Sequence, residues 1–188
     1  MDPTSRSFAV GPCALELVRG DVTAQETDAI GNAANALLMG GGGVDGAIHR
    51  IAGPELLEAC QAIKRTLPGG VLATGGAVIT PGFRLKARHV VHCVGPIYER
   101  EGESAPALLA SCYREALALV RKGRLTSIAF PSIATGVYGY PVEAAATVAI
   151  GTVIDELREH RAPSLVRFVL VDAATYDAYL AAAKTRIA

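Results

Sequence analysis

The sequence predicts an α/β domain in which helices are layered on a largely parallel sheet. Apolar runs of strand length, such as residues 89–94 and 127–131, alternate with longer segments of helical periodicity, such as residues 106–122. Because connections that contain a helix join parallel strands, this alternation favours a parallel sheet. Two glycine-containing loops follow predicted strands, and ligands bind at such strand ends in parallel sheets.

Four elements are predicted in the first third of the chain. Residues 13–18 alternate between apolar and polar side chains as a strand does, and residues 27–30 form a short strand before the first loop. Helical character begins after the glycines, over residues 46–52. Pro54 suits the first position of the next helix, whose apolar face covers residues 55–64.

The central part of the chain contains three more strands and a helix. Residues 74–80 form a strand whose glycines permit a close approach. Residues 89–94 form a continuous apolar run typical of a buried strand, and we interpret its two histidines as structural. Residues 106–122 place apolar side chains at helical spacing, and residues 127–131 form a short central strand that leads into the second loop.

The C-terminal part completes a single predicted domain. It contains a long helix over residues 141–159, a last strand over residues 165–171 and a terminal helix over residues 175–184. A chain of 188 residues is long enough for one domain with a sizeable core. We predict that this domain spans residues 9–188 and that residues 1–8 are a disordered N-terminal tail.

Composition argues against several classes of function. The formal net charge is zero, so we expect no nucleic-acid partner, because non-specific binding to nucleic acid needs clustered Lys and Arg. The N-terminus lacks the apolar run of a signal peptide, and no segment approaches the roughly 18 continuous apolar residues of a membrane span. We therefore expect a cytoplasmic protein with no membrane contact.

The four cysteines indicate neither disulfides nor a metal site. Cys13, Cys60, Cys93 and Cys112 are far apart, form no C-x-x-C pair and have no neighbouring His at metal-ligand spacing. We interpret them as reduced, mostly buried thiols of an intracellular protein, with a redox or metal role as the minor alternative. The sequence gives no reason to expect a metal or another cofactor.

Residues 31–50 form the most unusual stretch, with two asparagines, four consecutive glycines and one aspartate. Ordering four glycines loses much chain entropy, so their backbone must adopt unusual angles or approach a partner closely. A predicted helix starts just after them, and glycine N–H groups beside a helix N-terminus favour an anion, usually a phosphate. No Lys or Arg lies between Gly31 and His49, so main-chain donors would have to hold such an anion.

Three other interpretations of this loop fit less well. A P-loop requires a Gly-Lys-Ser/Thr ending, which is absent. Gly41, Gly43 and Gly46 match G-x-G-x-x-G, but in a dinucleotide site the glycines directly follow a strand and an acidic residue comes about 20 positions later. Here residues 33–39 intervene, and residues 67–70 at that distance form a turn. A plain surface turn needs one or two glycines rather than four.

Both loops resemble those of the macrodomain (Appr-1''-p processing) family. Members carry Asn-Ala-Ala-Asn, a spacer and Gly-Gly-Gly-Val-Asp-Gly-Ala-Ile-His, which this chain has at residues 32–35 and 41–49. Residues 134–141, Ala-Thr-Gly-Val-Tyr-Gly-Tyr-Pro, are similar to a loop of hydrolase-type macrodomains such as the O-acetyl-ADP-ribose deacetylases, although Ala134 replaces the usual Ser. The resemblance covers residues 15–179 and implies a three-layer α/β/α fold with a mixed, largely parallel sheet.

This resemblance implies an ADP-ribose site. It assigns Asp21 and Val22 to adenine binding, and in deacylating macrodomains the residues that match Asn35 and Asp45 are implicated in catalysis. The other substrate-binding residues implied are Asn32, Gly41, Gly42, Gly43, Val44, Ser132, Thr135, Gly136, Val137, Tyr138 and Asp172. The second loop would hold the diphosphate, and its aromatic residue would cover the distal ribose.

Simpler roles stay open for some of these residues. Asp21 could only cap a turn, and Asp45 could cap a helix, although a capping carboxylate stays ionised and can still accept a hydrogen bond. His49, one helical turn from Asp45, could orient a water or be structural. Val171 stands where relatives often carry an aromatic that stacks on adenine, a contact worth about 1 kcal/mol.

The resulting hypothesis is an enzyme that hydrolyses acyl esters of ADP-ribose. The expected partners are ADP-ribose and its acyl esters, including O-acetyl-ADP-ribose, and proteins that carry mono-ADP-ribose on Asp or Glu. The competing class is a non-catalytic module that binds ADP-ribose, and an RNA-binding macrodomain is a weaker third. Poly(ADP-ribose) glycohydrolases carry paired glutamates where this chain has Val44 and Asp45, and no Cys or His is placed to match the zinc-dependent branch.

Overall fold

The computed structural model describes residues 5–187. Its strands are β1 (Ser5–Val10), β2 (Cys13–Arg19), β3 (Ala29–Ala33), β4 (Ala77–Pro81), β5 (His89–Cys93), β6 (Ser127–Phe130) and β7 (Leu165–Leu170). Its α-helices are α1 (Gly43–Ala52), α2 (Pro54–Lys64), α3 (Tyr98–Glu101), α4 (Ala105–Lys122), α5 (Val142–His160) and α6 (Ala173–Ile187). Groups of one to three strands alternate with groups of one or two α-helices along the described chain, as predicted.

All seven strands form one sheet in the order β1-β2-β7-β6-β3-β5-β4. The five inner strands run parallel, and the two edge strands, β1 and β4, each pair antiparallel with their neighbour. Pro81 ends the edge strand β4, where its missing N–H is tolerated. The prediction of a mixed, largely parallel sheet is confirmed.

Alternate residues of the central strands pack against helices on opposite faces of the sheet. Ile30 of β3 lies in a buried cluster with Ile48 of α1 and Leu56 of α2. Its neighbour Ala29 belongs to the larger cluster that contains apolar residues of α4, α5 and α6. Because side chains alternate along a strand, one sheet supports two helical layers. The three-layer α/β/α arrangement is therefore confirmed.

The prediction of a disordered tail over residues 1–8 is wrong for residues 5–8. They belong to β1, in which Ser5 pairs with Val18 and Val10 pairs with Cys13 of β2. Most side chains of β1 are exposed or half-buried, so the segment lacks the apolar alternation that would have indicated a strand. Backbone hydrogen bonds to β2 define this edge instead. Residues 1–4 of the predicted tail lie outside the described residues.

Two element boundaries differ from the prediction at the first loop. Strand β3 extends to Ala33, three residues beyond the predicted end at residue 30. Helix α1 begins at Gly43, three residues before the predicted start at residue 46. Both differences place a polar residue, Asn32 or Asp45, inside a regular element rather than in the loop.

No helix among residues 5–187 is long and apolar enough to cross a membrane.

Candidate active site

A cleft of about 900 Å³ lies over the carboxyl ends of the parallel strands. Residues that follow β2, β7, β6, β3 and β5 line it: Asp21, Val171, Pro131, Ala34 and Gly95. Since β2 and β7 lie at one side of these strands and β3 at the other, the cleft crosses the sheet from Asp21 toward the first loop. Such strand ends are where ligands bind in parallel sheets.

The structure brings together all but one of the site residues predicted from the sequence. Those that line the cleft are Asp21, Val22, Asn35, Gly41, Gly42, Gly43, Val44, Asp45, Ser132, Thr135, Gly136, Val137, Tyr138 and Asp172. Among the described lining residues there is no Lys or Arg. An anion in the cleft would therefore meet neutral donors, as expected from the first loop.

The first loop is held by its own asparagine. The Asn35 Nδ2 atom donates to the Gly40 carbonyl at 2.8 Å, and the Asn35 Oδ1 atom accepts from the Leu37 N–H at 3.1 Å. Gly40 and Gly43 have φ angles of 75° and 57°, a region that favours glycine. The loop therefore owes its shape to one asparagine and to glycines in the left-handed region.

Helix α1 presents its N-terminus to the cleft. Gly42 is its N-cap residue and makes no side-chain capping bond, so the first N–H groups of the helix are free of a cap side chain. A Cβ atom at Gly46 would overlap the carbonyl oxygen of Gly41, so the loop packs directly on the helix. These free N–H groups and the helix dipole favour a phosphate.

Asp45 is not the helix cap. It is the third residue of α1, and its side chain is buried although it lines the cleft. Its Oδ1 atom accepts a hydrogen bond from Asn32 Nδ2 at 2.7 Å and lies 3.5 Å from His49 Nε2. A Cβ atom at Gly41 would lie 3.2 Å from the Asp45 Oδ2 atom, so this second oxygen faces the first loop.

Burial raises the pKa of the Asp45 carboxyl group above its usual value. The Asn32 hydrogen bond and the charge of His49 act in the opposite direction, since both favour the ionised form. The result is a carboxylate that is held by protein donors yet binds a proton more readily than an exposed aspartate. A carboxylate of this kind suits proton transfer.

Asn32 was predicted to bind substrate, and the structure contradicts this. Its exposure is 0%, and it does not line the cleft. Because β3 extends past it, strand alternation turns its side chain to the same face as Ile30, beneath α1. Asn32 contacts Asp45 and His92 instead of a ligand.

The second loop is braced by hydroxyl groups. Ser132 Oγ lies 2.9 Å from the Tyr179 hydroxyl of α6 and accepts a hydrogen bond from Thr135 Oγ1 at 2.9 Å. Ala134 has a φ angle of 68°, an uncommon conformation for a residue with a Cβ atom. A Cβ atom at Gly95 would lie 2.9 Å from that of Ala134, so Gly95 makes room for this turn.

Val137 and Tyr138 form the outer part of the second loop. Val137 is fully exposed, whereas Tyr138 is half-buried and lines the cleft. Burial and the charge of Asp45 raise the pKa of the Tyr138 hydroxyl. Tyr138 therefore stays neutral at ordinary pH and lies close enough to Asp45 to respond to its charge.

Two aspartates at the far side of the cleft accept hydrogen bonds from threonines close to them in the sequence. The Asp21 Oδ1 atom accepts from the Thr23 N–H at 2.8 Å and from Thr23 Oγ1 at 2.7 Å, so Asp21 does cap a turn. Asp172 accepts from the Thr175 N–H at 2.8 Å, and these bonds lower the pKa of the Asp172 carboxyl group. Both residues also line the cleft, so capping and ligand contact are compatible.

Sequence reasoning missed several lining residues that carry no polar side chain. These are Ala33, Ala34, Ala47, Gly95, Pro131, Ile133, Ala134, Val142, Val169 and Leu170, together with the hydroxyl residue Thr175, whereas the resemblance had already placed Val171 beside adenine. Ala34 and Pro131 directly follow a strand, and this position was the only signal that could have indicated them. Among residues 5–187, no three His, Cys, Asp or Glu side chains are grouped as metal ligands.

The chain is similar to known proteins of one family. Residues 31–149 match the model of the Macro domain family. The chain is 51% identical over 166 residues to the O-acetyl-ADP-ribose deacetylase of Salmonella gallinarum. The aligned region covers 88% of this chain and 91% of that protein.

Solved structures show the same fold. The Oceanobacillus iheyensis macrodomain with ADP superposes with a TM-score of 0.94 at 48% identity, over 97% of this chain and 96% of that chain. The Trypanosoma brucei macrodomain in complex with ADP-ribose superposes with a TM-score of 0.79 at 43% identity, over 88% of this chain and 67% of that chain. Since the family match covers more than half of the chain and the relatives align over most of it, the chain belongs to the Macro domain family.

Proposed function

We propose that this protein binds ADP-ribose in the cleft and hydrolyses its acyl esters. The substrates would be O-acetyl-ADP-ribose and proteins that carry mono-ADP-ribose on Asp or Glu. The observation that carries the proposal is the Asp45 carboxylate, which is buried by the protein, held by Asn32 and open to the cleft beside the first loop. The Salmonella relative named as an O-acetyl-ADP-ribose deacetylase supports the same chemistry.

The order of groups across the cleft supports the orientation of the ligand. Asp21 and Val22 follow β2 at one side, and adenine would lie there. The diphosphate would lie between the α1 N-terminus and the second loop, both of which offer main-chain N–H groups. The distal ribose would then reach Asn35 and Asp45 beyond β3, with Tyr138 over it.

The proposed reaction is the addition of water to the acyl carbonyl carbon. The bond between that carbon and the ribose oxygen breaks, a carboxylic acid is released, and the ribose oxygen takes the proton that water loses. Asp45 would orient the water or accept its proton in passing, since its raised pKa favours a brief protonated state. Tyr138 would limit access of bulk water, and Asn35 would keep the first loop around the ribose.

The decisive experiment compares wild type with Asp45→Ala on two substrates, O-acetyl-ADP-ribose and a glutamate-modified protein. We expect both esters to be consumed by wild type, and Asp45→Ala to bind ADP-ribose but turn over at least about 100-fold more slowly. Asp177→Ala, an exposed change in α6 outside the cleft, is the matched control. Unchanged turnover in Asp45→Ala would remove Asp45 from the mechanism.

The same experiment separates the enzyme from a module that only binds ADP-ribose. Such a module would bind ADP-ribose with the same contacts and consume neither ester. Release of acetate alone would restrict the substrates to the small ester, whereas release of ADP-ribose from protein would identify modified proteins as partners.

We also propose that the protein acts in the cytoplasm. Its four cysteines are unpaired, buried thiols, which is usual in a reducing compartment. Measuring the location of the tagged full chain in cells tests this directly, and an exported protein would contradict it.

A further inference from the structure

Three buried polar side chains lie behind Asp45, and none of them lines the cleft. They are Asn32 of β3, His92 of β5 and Thr80 of β4. The His92 Nδ1 atom lies 3.1 Å from Asn32 Nδ2, and the His92 Nε2 atom lies 2.9 Å from Thr80 Oγ1. Together they form a continuous hydrogen-bonded chain from the sheet edge to the Asp45 carboxylate.

The direction of each hydrogen bond follows from the atoms involved. The Asn32 Nδ2 group can only donate, so the His92 Nδ1 atom must accept. A neutral imidazole that accepts at Nδ1 carries its proton on Nε2, which then donates to Thr80 Oγ1. Burial, together with the charge of His49, lowers the pKa of His92 to about 3, so the ring stays neutral at ordinary pH.

The opposite orientation of the Asn32 amide is disfavoured at Asp45. Turning the amide would place its oxygen against Asp45 Oδ1, where donor and acceptor now lie 2.7 Å apart. In the observed orientation both N–H groups are used, but the Asn32 Oδ1 atom is buried and has no hydrogen-bond partner among residues 5–187. The two donors of Asn32 are therefore directed at its two neighbours, Asp45 and His92.

The sheet itself fixes this chain of side chains. Asn32 and His92 are direct partners in the parallel pairing of β3 with β5. His92 pairs with Val78 of β4, and Thr80 lies two residues further along on the same face. Backbone hydrogen bonds on both sides of β5 therefore hold the His92 ring between Asn32 and Thr80, and the Cys60 Sγ atom lies 3.7 Å from its Nε2 atom.

We propose that His92 is a positioning residue for the Asp45 carboxylate. Through its Nδ1 atom it keeps an Asn32 N–H directed at Asp45 Oδ1, which leaves Asp45 Oδ2 facing the first loop and the cleft. Thr80 supports this role by holding the proton on His92 Nε2. The inference rests on the proposed function, in which Asp45 acts on the substrate.

The test compares two substitutions of His92 that both remove the imidazole ring but differ in whether they leave a hydrogen-bond acceptor. His92→Leu removes the acceptor, whereas His92→Asn can place an acceptor oxygen where Nδ1 stood. His89→Leu, on the same strand but the opposite face, is the control. Melting temperature, ADP-ribose Kd, and kcat and KM for O-acetyl-ADP-ribose are measured for each.

We expect His92→Leu to lower kcat about tenfold or more with Kd and KM within about twofold, because small misplacements of a catalytic group are costly in rate. His92→Asn should recover most of that loss, and His89→Leu should match wild type. A folded His92→Leu with wild-type kcat would overturn the proposal. Equal losses in His92→Leu and His92→Asn would also overturn it, since they would indicate packing alone.

If His92→Leu does not fold, Thr80→Val carries the comparison. Valine keeps the shape of threonine but removes the hydroxyl that holds the Nε2 proton. Only the Cys60 Sγ atom, a weak acceptor 3.7 Å away, then remains beside Nε2, so His92 can shift its proton to Nδ1 and lose its acceptor there. We expect a lower kcat with unchanged Kd, and an unchanged kcat in Thr80→Val would overturn the proposal.

A readout without turnover separates this inference from the proposed function. Carbon-13 NMR follows the titration of the Asp45 carboxyl group in wild type and in His92→Asn and His92→Leu, with its neighbours His49 and Tyr138 intact. Loss of the directed N–H in His92→Leu should raise the pKa of Asp45 further. An inactive wild type that shows this change would refute only the proposed function, whereas superimposed titration curves would overturn the positioning role.

Discussion

Asp45 Oδ1 and Asn32 Nδ2 lie 2.7 Å apart, within the layer between the sheet and α1. This bond gives the two carboxylate oxygens different surroundings, because Oδ1 is held by a protein donor and Oδ2 faces the first loop. The carboxylate is thus oriented before any ligand arrives. Such preorganisation is expected of a group that acts on a substrate rather than one that stabilises the fold.

The first prediction concerns the charge of Asp45. Asp45→Asn keeps the shape of the side chain and an oxygen that can accept from Asn32, but it cannot accept a proton from water. We expect turnover of O-acetyl-ADP-ribose to fall about 10²–10⁴-fold, with ADP-ribose Kd within about threefold of wild type. Single-turnover assays and calorimetry measure the two quantities. A variant that loses binding and turnover in parallel would contradict a role confined to the reaction.

The second prediction concerns the stability of the same variant. The pKa of Asp45 is raised in the folded protein, so the folded state binds this proton more tightly than the unfolded chain. Stability from this group is therefore greatest at low pH and is lost as the pH rises from the unfolded pKa through the folded pKa. We expect Asp45→Asn to raise Tm at pH 7.5, because the variant carries no buried charge at this position.

Thermal melts across pH check this prediction. The gain in Tm should shrink as the pH falls through the raised pKa of folded Asp45, and it should be gone below about 4, the ordinary pKa of aspartate, where the carboxyl group is protonated in both the folded and the unfolded chain. A gain that stays constant with pH would mean that the buried charge is not its cause. Asp177→Asn, at an exposed position in α6, controls for removal of a carboxylate as such.

The third prediction concerns the pH dependence of kcat/KM, which should decline on the acidic side of the profile. If Asp45 must be ionised, kcat/KM should rise with pH through the pKa of Asp45, above the usual aspartate value. His92 should add no inflection between pH 5 and 9, since its pKa is about 3. Stopped assays in buffers of constant ionic strength measure the profile. A limb that persists in Asp45→Asn would have to belong to another group.

Much of the fold could be predicted from the sequence because the apolar residues of many strands and helices follow recognisable patterns. The apolar run that became β5 and the helical spacing of α4 each depend on local burial, which a pattern of residues records directly. The edge strand β1 could not be predicted in this way. Its side chains are mostly exposed or half-buried, and its place depends on pairing with β2.

The parts of the site that contain glycines in a loop could be predicted from the sequence. The parts in which tertiary packing sets the direction of a side chain could be predicted much less well. The first loop could be recognised from its glycines, whereas the role of Asp45 was implied by the resemblance to deacylating macrodomains. The inward direction of Asn32 depends on how far β3 extends, a boundary that local patterns define poorly. The bonds of His92 join side chains of three strands, and its partner Asn32 lies 60 positions away in the sequence, so no local signal could reveal them.

The fourth prediction tests the adenine end of the cleft. Val171 lines the cleft and is 78% exposed, so an aromatic side chain there has room and could stack on adenine. We expect Val171→Phe to tighten ADP-ribose binding about fivefold, equivalent to about 1 kcal/mol. Calorimetry with ADP-ribose and with ribose 5-phosphate, which lacks the base, makes the comparison. An equal gain for both ligands would exclude stacking, and Val137→Phe on the second loop should give no base-dependent gain.

The last prediction uses two glycines that lie inside helices but face different surroundings. Gly151 in α5 has nothing within 4 Å of an added Cβ atom, so Gly151→Ala should stabilise the fold by about 0.5–1 kcal/mol through helix propensity. In α1, the Cβ of Gly46→Ala would overlap the Gly41 carbonyl oxygen, so the first loop must move away from the helix N-terminus.

We therefore expect Gly46→Ala to weaken ADP-ribose binding about tenfold or more, while Gly151→Ala leaves it unchanged, because an N–H donor misplaced from a phosphate loses a charge-assisted hydrogen bond. Calorimetry and denaturant unfolding of both variants separate affinity from stability. Binding within twofold of wild type in a folded Gly46→Ala would show that this contact does not set the loop. A loss of affinity in Gly151→Ala would show that helix stability, rather than loop position, controls the cleft.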